Sequence, residues 1–397
     1  MTTALHRRLP VASPLTVLFA VATTPLLTGT ARAFDLNDQI AINGLLAGAF
    51  QCQALSGGAD VPDVCRGGGA FQPEIVYTPT EQDQVFVKFG LGAGNGLNDV
   101  SPFALSPWAA DLEADVRDIN GRDRSYLLEA WYAHTFKFSE SNSLQITGGI
   151  MDPAFYVNEN VFANDEYTQF MNEVFVNARN AFLPAYDLGG AVVWKLGDWT
   201  FSGLGMNVGE NDEGRDYNWF GAEIDYHLET RLGEGNYRLL YSGTSREFAG
   251  PAETGAEDDT AVEQGDAVEV PGQTRLEHRS GWLLSFDQQL GAIVGAFLRL
   301  GWQAEDALVD YKAEYSGGFD FKGAAWGREQ DNIGIGYAYL DGGNSNISRT
   351  NAFEAYYRFA FNDYLAITGD LQYMQDKYRG EEDVDGWVYG VRAVVEF

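Results

Sequence analysis

The sequence predicts an all-β fold: a transmembrane antiparallel β-barrel of about sixteen strands, with long extracellular loops and an inward-folded third loop. Three observations predict it. Segments of about ten residues alternate in polarity with a period of two along almost the whole chain, as strands do when one face meets lipid and the other a wet lumen. The connections between them alternate long and short, the asymmetry of a barrel with short periplasmic turns. After residue 33 no stretch holds the ~20 continuous apolar residues of a spanning helix, while aromatics reach 14%, Gly numbers 46 and hydrophobic residues total only 45%.

The elements follow in chain order. His6, Arg7 and Arg8 open a leader, an apolar run follows from about Leu9 to Leu27, and Ala31-Arg32-Ala33 is a small-x-small cleavage site. Residues 1–33 are therefore expected to be a cleaved signal peptide and 34–397 the barrel domain. Pro14 and Pro25 interrupt the run, which argues against a membrane anchor. Strand candidates lie near 40–50, 73–79, 84–91, 125–137, 142–150, 188–196, 198–206, 218–228, 235–244, 278–288, 293–303, 316–325, 331–340, 352–361, 364–374 and 387–397. The last is the clearest: Trp387, Tyr389, Val391, Ala393, Val395 and Phe397 make one face, and Val388, Gly390, Arg392, Val394 and Glu396 the other. Short connections include 196–198 and 361–363. Long ones run near 92–124, 151–187, 245–277 and 375–386, and all fall on the extracellular side if the N-terminus is periplasmic. The acidic stretch 249–272 reads as a mobile surface loop.

Charge and cysteines exclude several classes. The chain carries 26 Lys+Arg against 57 Asp+Glu. Loss of Arg7, Arg8 and Arg32 with the leader leaves 23 against 57, or −34. Such a surface does not suit nucleic acid; it suits loops that meet divalent cations outside the cell. Cys52 and Cys65 in an exported chain read as a disulfide of the first extracellular loop, and two cysteines are too few for a Cys-rich zinc site. No Gly-x-Ser-x-Gly or His-Glu-x-x-His motif occurs, and the four histidines are scattered. The Gly90–Gly96 run has no helix pattern after it and reads as a strand leaving the membrane rather than a phosphate cradle. No catalytic residue, metal site or cofactor is expected, and the chain is not expected to be an enzyme.

The third long loop, 151–187, is the informative one. Asn164 or Asp165 is placed to cap a short helix on which Phe170 and Val174, and Met171 and Phe175, share faces. Ordered chemistry in so long a loop points to folding back into the lumen; the alternative is a structured external cap. Alternation puts Lys88, Glu129, Lys195, Glu223, Asp225, Arg238, Arg299, Asp320, Lys322, Glu354, Arg358, Asp370, Gln372 and Arg392 inside. Walls of both signs with amides suit a wet pore for polar solutes. The expected constriction is Asp165, Glu166 and Gln169 facing Arg358, Asp370 and Gln372, with Tyr167 and Phe170 as rings for the apolar face of a pyranose, and with a preference for cations.

Three patches resemble the carbohydrate-selective porin family, the OprB type: Ala163-Asn164-Asp165-Glu166 with Gln169, Phe170 and Asn172; Glu354-Ala355-Tyr356-Tyr357-Arg358 followed by Leu365 to Tyr373; and the ending with Gly390, Arg392 and Phe397. The chain differs from that family at 148–152, where a basic residue is usual, and at Gly369, where Pro is usual. The resemblance implies a sixteen-stranded pore in the Gram-negative outer membrane that passes sugars and other small hydrophilic solutes by passive diffusion. Its partners would be those solutes and outer-membrane lipid, with a homotrimer among the assemblies left open. A non-specific cation-preferring porin, a plugged structural barrel and an outer-membrane lipase are the competing readings.

Overall fold

The computed structural model describes residues 34–57, 62–124, 126–251 and 275–397. The expected leader 1–33 and most of the acidic stretch 249–272 lie outside the described residues.

Among the described residues sixteen strands close into one antiparallel barrel. They are β1 (Ile40–Gly57), β2 (Cys65–Thr80), β3 (Asp83–Phe89, continued by Leu91–Asn95), β4 (Leu127–Ser139), β5 (Asn142–Met151), β6 (Asp187–Leu196), β7 (Trp199–Val208) and β8 (Tyr217–Thr230). The second half is β9 (Gly233–Thr244), β10 (Ser280–Leu290), β11 (Val294–Gln303), β12 (Tyr311–Lys322), β13 (Asn332–Gly342), β14 (Ile347–Ala360), β15 (Leu365–Tyr378) and β16 (Val384–Glu396). Every strand pairs with its sequence neighbours, and β16 closes on β1 from Leu45↔Glu396 to Gly57↔Asp385. The C-terminal Phe397 completes the seam by exchanging backbone hydrogen bonds with Gly44 at 2.9 and 3.0 Å. Closure leaves no unpaired edge, which a wall in hydrocarbon requires. No described helix is long and apolar enough to cross a membrane.

Period two sorts the faces as expected. On β16, Trp387, Tyr389 and Val391 are exposed while Val388, Arg392 and Val394 are buried. Rings gather outside in two belts. Trp194, Trp199, Phe201 and Tyr226 contact one another near the short turns. Tyr241 with Trp282, Trp302 with Tyr315 and Tyr373 with Trp387 do so near the loops. These are the interfacial girdles of a transmembrane barrel.

One end of the barrel carries tight turns at 81–82, 140–141, 197–198, 231–232 and 291–293 together with both strand termini. At the other end eight connections join the strands: loop 1 (58–64), loop 2 (96–126), loop 3 (152–186), loop 4 (209–216), loop 5 (245–279), loop 6 (304–310), loop 7 (343–346) and loop 8 (379–383), of which 58–61, 125 and 252–274 lie outside the described residues. Loop 8 corrects the expected long connection at 375–386. Residues 375–376 and 384–386 continue the ladder of β15 and β16, and 377–378 that of β14 and β15, so five residues suffice for the turn. The cysteine expectation is also refined. Cys52 and Cys65 are bonded, but as a register pair of β1 and β2 with Cα atoms 3.9 Å apart, flanking loop 1 rather than inside it.

Candidate functional site

The wall supplies the site's scaffold. Inward positions on neighbouring strands place Glu223 (β8), Arg299 (β11), Glu314 (β12), Glu354 (β14) and Arg392 (β16) inside the barrel, all buried. Their partners are backbone groups of loop 3. The Glu354 carboxylate accepts from the Met171 and Asn172 N–H groups at 2.6 and 2.9 Å. Glu314 accepts from Arg179 N at 2.7 Å and Glu223 from Asn158 N at 2.8 Å. Arg299 donates to the carbonyls of Phe175 (3.0 Å) and Ala163 (2.5 Å). Arg392 donates to those of Glu166 (2.7 Å) and Gln169 (2.9 Å). A loop taken out of water must find partners for its backbone, and ionised side chains make the stronger bonds. Loop 3 is thus pinned across the lumen, which decides between the inward fold and the external cap.

Apolar packing reinforces the pins. Phe170 sits against Phe175 (4.8 Å between centroids), Tyr356 (5.0 Å) and Phe297 (5.6 Å). Gly336 of β13 admits this stack: a Cβ there would stand 2.9–3.0 Å from the rings of Phe175 and Phe170. The expected helix is displaced. Asp165 caps only a turn, accepting from Tyr167 N (2.7 Å) and Thr168 N (3.1 Å). Glu354 then takes the N–H groups of residues 171 and 172, so helical bonding resumes only at α2 (Glu173–Val176), capped by Asn172.

Loop 2 folds inward as well, which the sequence reading missed. Its short helix α1 (Glu113–Arg117) lies on β3, and Gly92 makes room for it, since a Cβ there would stand 2.4 Å from the Glu113 nitrogen. Trp108 is fully buried and donates through Nε1 to the Glu166 carbonyl at 3.0 Å. Ala109 N donates to Met171 O, and Glu173 N to Ser106 O. The available signal was composition: Leu97, Phe103, Leu105, Trp108 and Leu112 are more apolar surface than a solvated loop carries, and all five are buried.

Beside the two loops runs a cavity of about 1370 Å³. Its lining reaches from Leu45 and Glu396, near the short-turn end of β1 and β16, to Glu210–Gly214 of loop 4 at the other end. Of the charged side chains lining it, thirteen are carboxylates and three, Lys88, Arg179 and Arg279, are basic. Burial, together with neighbouring Asp165 and Asp111, holds the Glu166 carboxyl well above the usual range. Burial pushes Glu159 up to about 8, against the pull of Arg238, and Asp152 up to about 6.

The expected constriction residues divide into two groups. Asp165, Glu166 and Tyr167 line the cavity; the Tyr167 hydroxyl accepts from Gln72 Nε2 at 2.9 Å and Asp111 N at 3.3 Å. Gln169, Phe170, Arg358, Asp370 and Gln372 do not line it. Gln169 turns back on its own loop, accepting from Asn164 N and donating to Val161 O. Phe170 is in the core. Gln372 donates to Pro107 O of loop 2 (2.8 Å) and to Asp370 (2.9 Å). Arg358 pairs with Glu396 at 3.5 Å toward the turn end. Alternation identifies inward residues, but a docking loop then covers most of them. Among the described residues no group of His, Cys, Asp and Glu has the arrangement of a metal site.

A family model described as carbohydrate-selective porin, OprB family, matches residues 105–397. A protein of Aquifex aeolicus (strain VF5), described as an uncharacterized protein, is 26% identical over 315 residues, which are 78% of this chain and 85% of that one. The high-pH structure of Pseudomonas putida OprB is similar at a TM-score of 0.70 and 15% identity, covering 90% of this chain and 94% of that one. OmpT of Vibrio cholerae is similar at 0.53 and 9%, covering 92% and 100%. These structural likenesses speak for the fold, and the family model, matching well over half of the residues, speaks for descent: the chain belongs to the carbohydrate-selective porin family, OprB.

Proposed function

We propose that residues 1–33 direct export and are removed, and that residues 34–397 insert in the outer membrane of a Gram-negative cell. There the barrel lets carbohydrates and other small hydrophilic solutes diffuse passively through the channel beside loops 2 and 3. One observation carries this reading: a cavity rich in charged and amide side chains whose walls include residues from both ends of the barrel. A barrel plugged outright by its loops would have no such lining.

A sugar entering the channel sheds part of its hydration and needs donors and acceptors in exchange. Asp165, Glu166, Thr168 and Asn164 supply them from loop 3. Of the rings on the cavity wall Phe155 is the most exposed, at 42%, and it suits the stacking role expected of Tyr167 and Phe170. The acidic lining favours cations over anions.

The test is conductance. Purified, heat-modifiable protein in planar bilayers is expected to give ion-conducting steps, with a reversal potential in a salt gradient on the cation-selective side. Liposomes containing it are expected to swell faster in monosaccharide than in larger sugars. Folded protein without conductance would favour the plugged barrel.

A further inference from the structure

The outer face of the wall carries its positive charge in one place. Among the described strands, basic side chains take the inward parity everywhere except on β12, β14 and β15. There Lys312, Arg349 and Lys377 form one cross-strand row on the outer face, at the loop end. Asp341 of β13 lies opposite Arg349, and Arg349 opposite Lys377. Lys312 stands in a bulge beside Ala313, the register partner of Asp341. Its ammonium pairs with Asp341 at 3.2 Å, and Lys377 pairs with Asp383 of loop 8 at 3.2 Å. Arg349 differs from both. Its side chain has no ion pair or hydrogen bond among the described residues, and its Nε is buried without a partner. One neighbour is an acid already taken by Lys312, and the other is a like charge. The remaining acids of this rim are Asp385 and Glu381, which accept from Tyr373 Oη (3.3 Å) and Asn346 Nδ2 (3.1 Å), and Glu382, exposed at the tip of loop 8.

Height along the barrel says what such a row meets. Four residues further down the strands, Tyr337, Phe353, Tyr373 and Trp387 form one register row on the same outer face. At ~3.3 Å per residue the bases stand about 13 Å beyond that row along the strands, and less along the membrane normal because strands tilt. An aromatic belt marks the membrane interface, so the bases stand at the height of lipid headgroups. Like charges directly opposite each other destabilise a sheet, and an anion seated between Arg349 and Lys377 removes that cost. Exposed Lys–carboxylate pairs are worth little and yield to a stronger anion. Arg matches phosphate oxygens in a two-pronged geometry, and a phosphomonoester carries close to two negative charges at neutral pH. We propose that Arg349, flanked by Lys312 and Lys377, binds the phosphomonoester headgroup of a membrane lipid and holds that lipid on the outer face of β12–β15, with its chains against Tyr337, Phe353 and Tyr373. This inference rests on the reading of the chain as a barrel set in a membrane.

The experiment titrates folded protein in detergent with phosphatidic acid, phosphatidylglycerol or phosphatidylcholine and reads bound lipid by native mass spectrometry. Heat modifiability and insertion into vesicles decide whether the chain is a membrane barrel, so failure of that reading is seen separately. Wild type is expected to hold phosphatidic acid, the phosphomonoester, about tenfold more tightly than the other two. Arg349→Gln is expected to weaken that binding about tenfold, with Arg349→Lys between. Lys137→Gln makes the same charge change on an exposed base at the turn end and is expected to bind like wild type. If Arg349→Gln does not fold, Lys312→Gln with Lys377→Gln is measured in its place and is expected to weaken binding likewise. Equal retention of the three lipids by wild type would overturn the proposal, as would wild-type binding in the folded variants of the row, or an equal loss in Lys137→Gln. Inorganic phosphate that displaces phosphatidic acid at equal concentration would overturn the lipid as the ligand and assign the row to free phosphate.

Discussion

The two faces of loop 3 differ in what they do with charge. Toward the wall, its backbone is held by Glu354, Glu314, Arg299 and Arg392, and its side chains, Phe170, Phe175 and Val174, are apolar and fully buried. Toward the channel, Asp165, Glu166 and Glu173 face the cavity. The wall's charges are structural ligands for the loop; the loop's own charges are left for whatever passes. A lumenal charge therefore has two unlike uses, and only the position of the loop separates them.

The largest effect is expected from removing the pins. Arg299 serves carbonyls from residues 158, 163, 175 and 176. Arg299→Ala strands several buried acceptors, each costing about 1–3 kcal/mol if left unmade. The barrel wall itself keeps its ladder, so the loop is expected to detach while the barrel stays folded. Single-channel conductance is expected to rise severalfold, and deletion of 160–175 is expected to raise it too. Glu354→Ala is expected to act in the same direction. A folded, heat-modifiable Arg299→Ala barrel conducting like the parent would erase the distinction between the two faces, because the wall side would then not be what holds the loop in the lumen.

A smaller effect tests the channel side through pH. Burial pushes the Asp152 carboxyl up to about 6 and that of Glu159 up to about 8, and holds Glu166 well above the usual carboxylate range. Each is neutral below its raised value and gains a negative charge as pH climbs through it. Cation preference is therefore expected to grow between pH 5 and pH 9, by up to about twofold, since these three are a minority of the thirteen carboxylates that line the cavity. Reversal potentials across that range measure it, and Glu159→Gln with Glu166→Gln is expected to flatten the curve. A ratio that falls with pH would place the titrating groups outside the ion path.

Much of this was legible in the sequence, and the parts that were not have physical reasons. All sixteen strands were visible because a lipid face and a wet face impose period two on every one of them. The inward parity of Glu354, Arg299 and Arg392 was legible for the same reason. Their use was not, because alternation assigns a face, and docking depends on where a loop 124 to 226 residues away comes to rest. The loop 3 helix was misplaced for a related cause: Asn164 and Asp165 carry good local capping chemistry, but two carboxylate bonds from β14 break the helix at Met171 and Asn172. Loop 2 is expected from the sequence only as a long extracellular connection, although its buried Trp108 docks on loop 3 inside the barrel.

The smallest effect on transport is expected at the disulfide, which lies on neither face of loop 3. On β1, Gln51 and Gln53 are buried inward and Phe50 is exposed, so Cys52 points outward and the bond clasps the outer surface of β1 and β2 beside loop 1. The linked residues are 13 apart in sequence, and closing a segment of that size stabilises by at most about 3 kcal/mol in the chain-entropy model. The β1–β2 ladder already holds the same segment, which lowers the gain. The Cys52→Ser, Cys65→Ser protein is therefore expected to show a lower denaturant midpoint with unchanged conductance and reversal potential. Intact mass of cell-derived wild-type protein is expected to show no free thiol. Gln51, one residue away, makes the opposite case: its side chain donates inward to Pro107 O at 3.2 Å, so a shift of β1 would be felt by loop 2. If breaking the outward bond changed conductance, strand position would be passing through Gln51 to loop 2, and the outer rim would have to be counted with the faces that shape the channel.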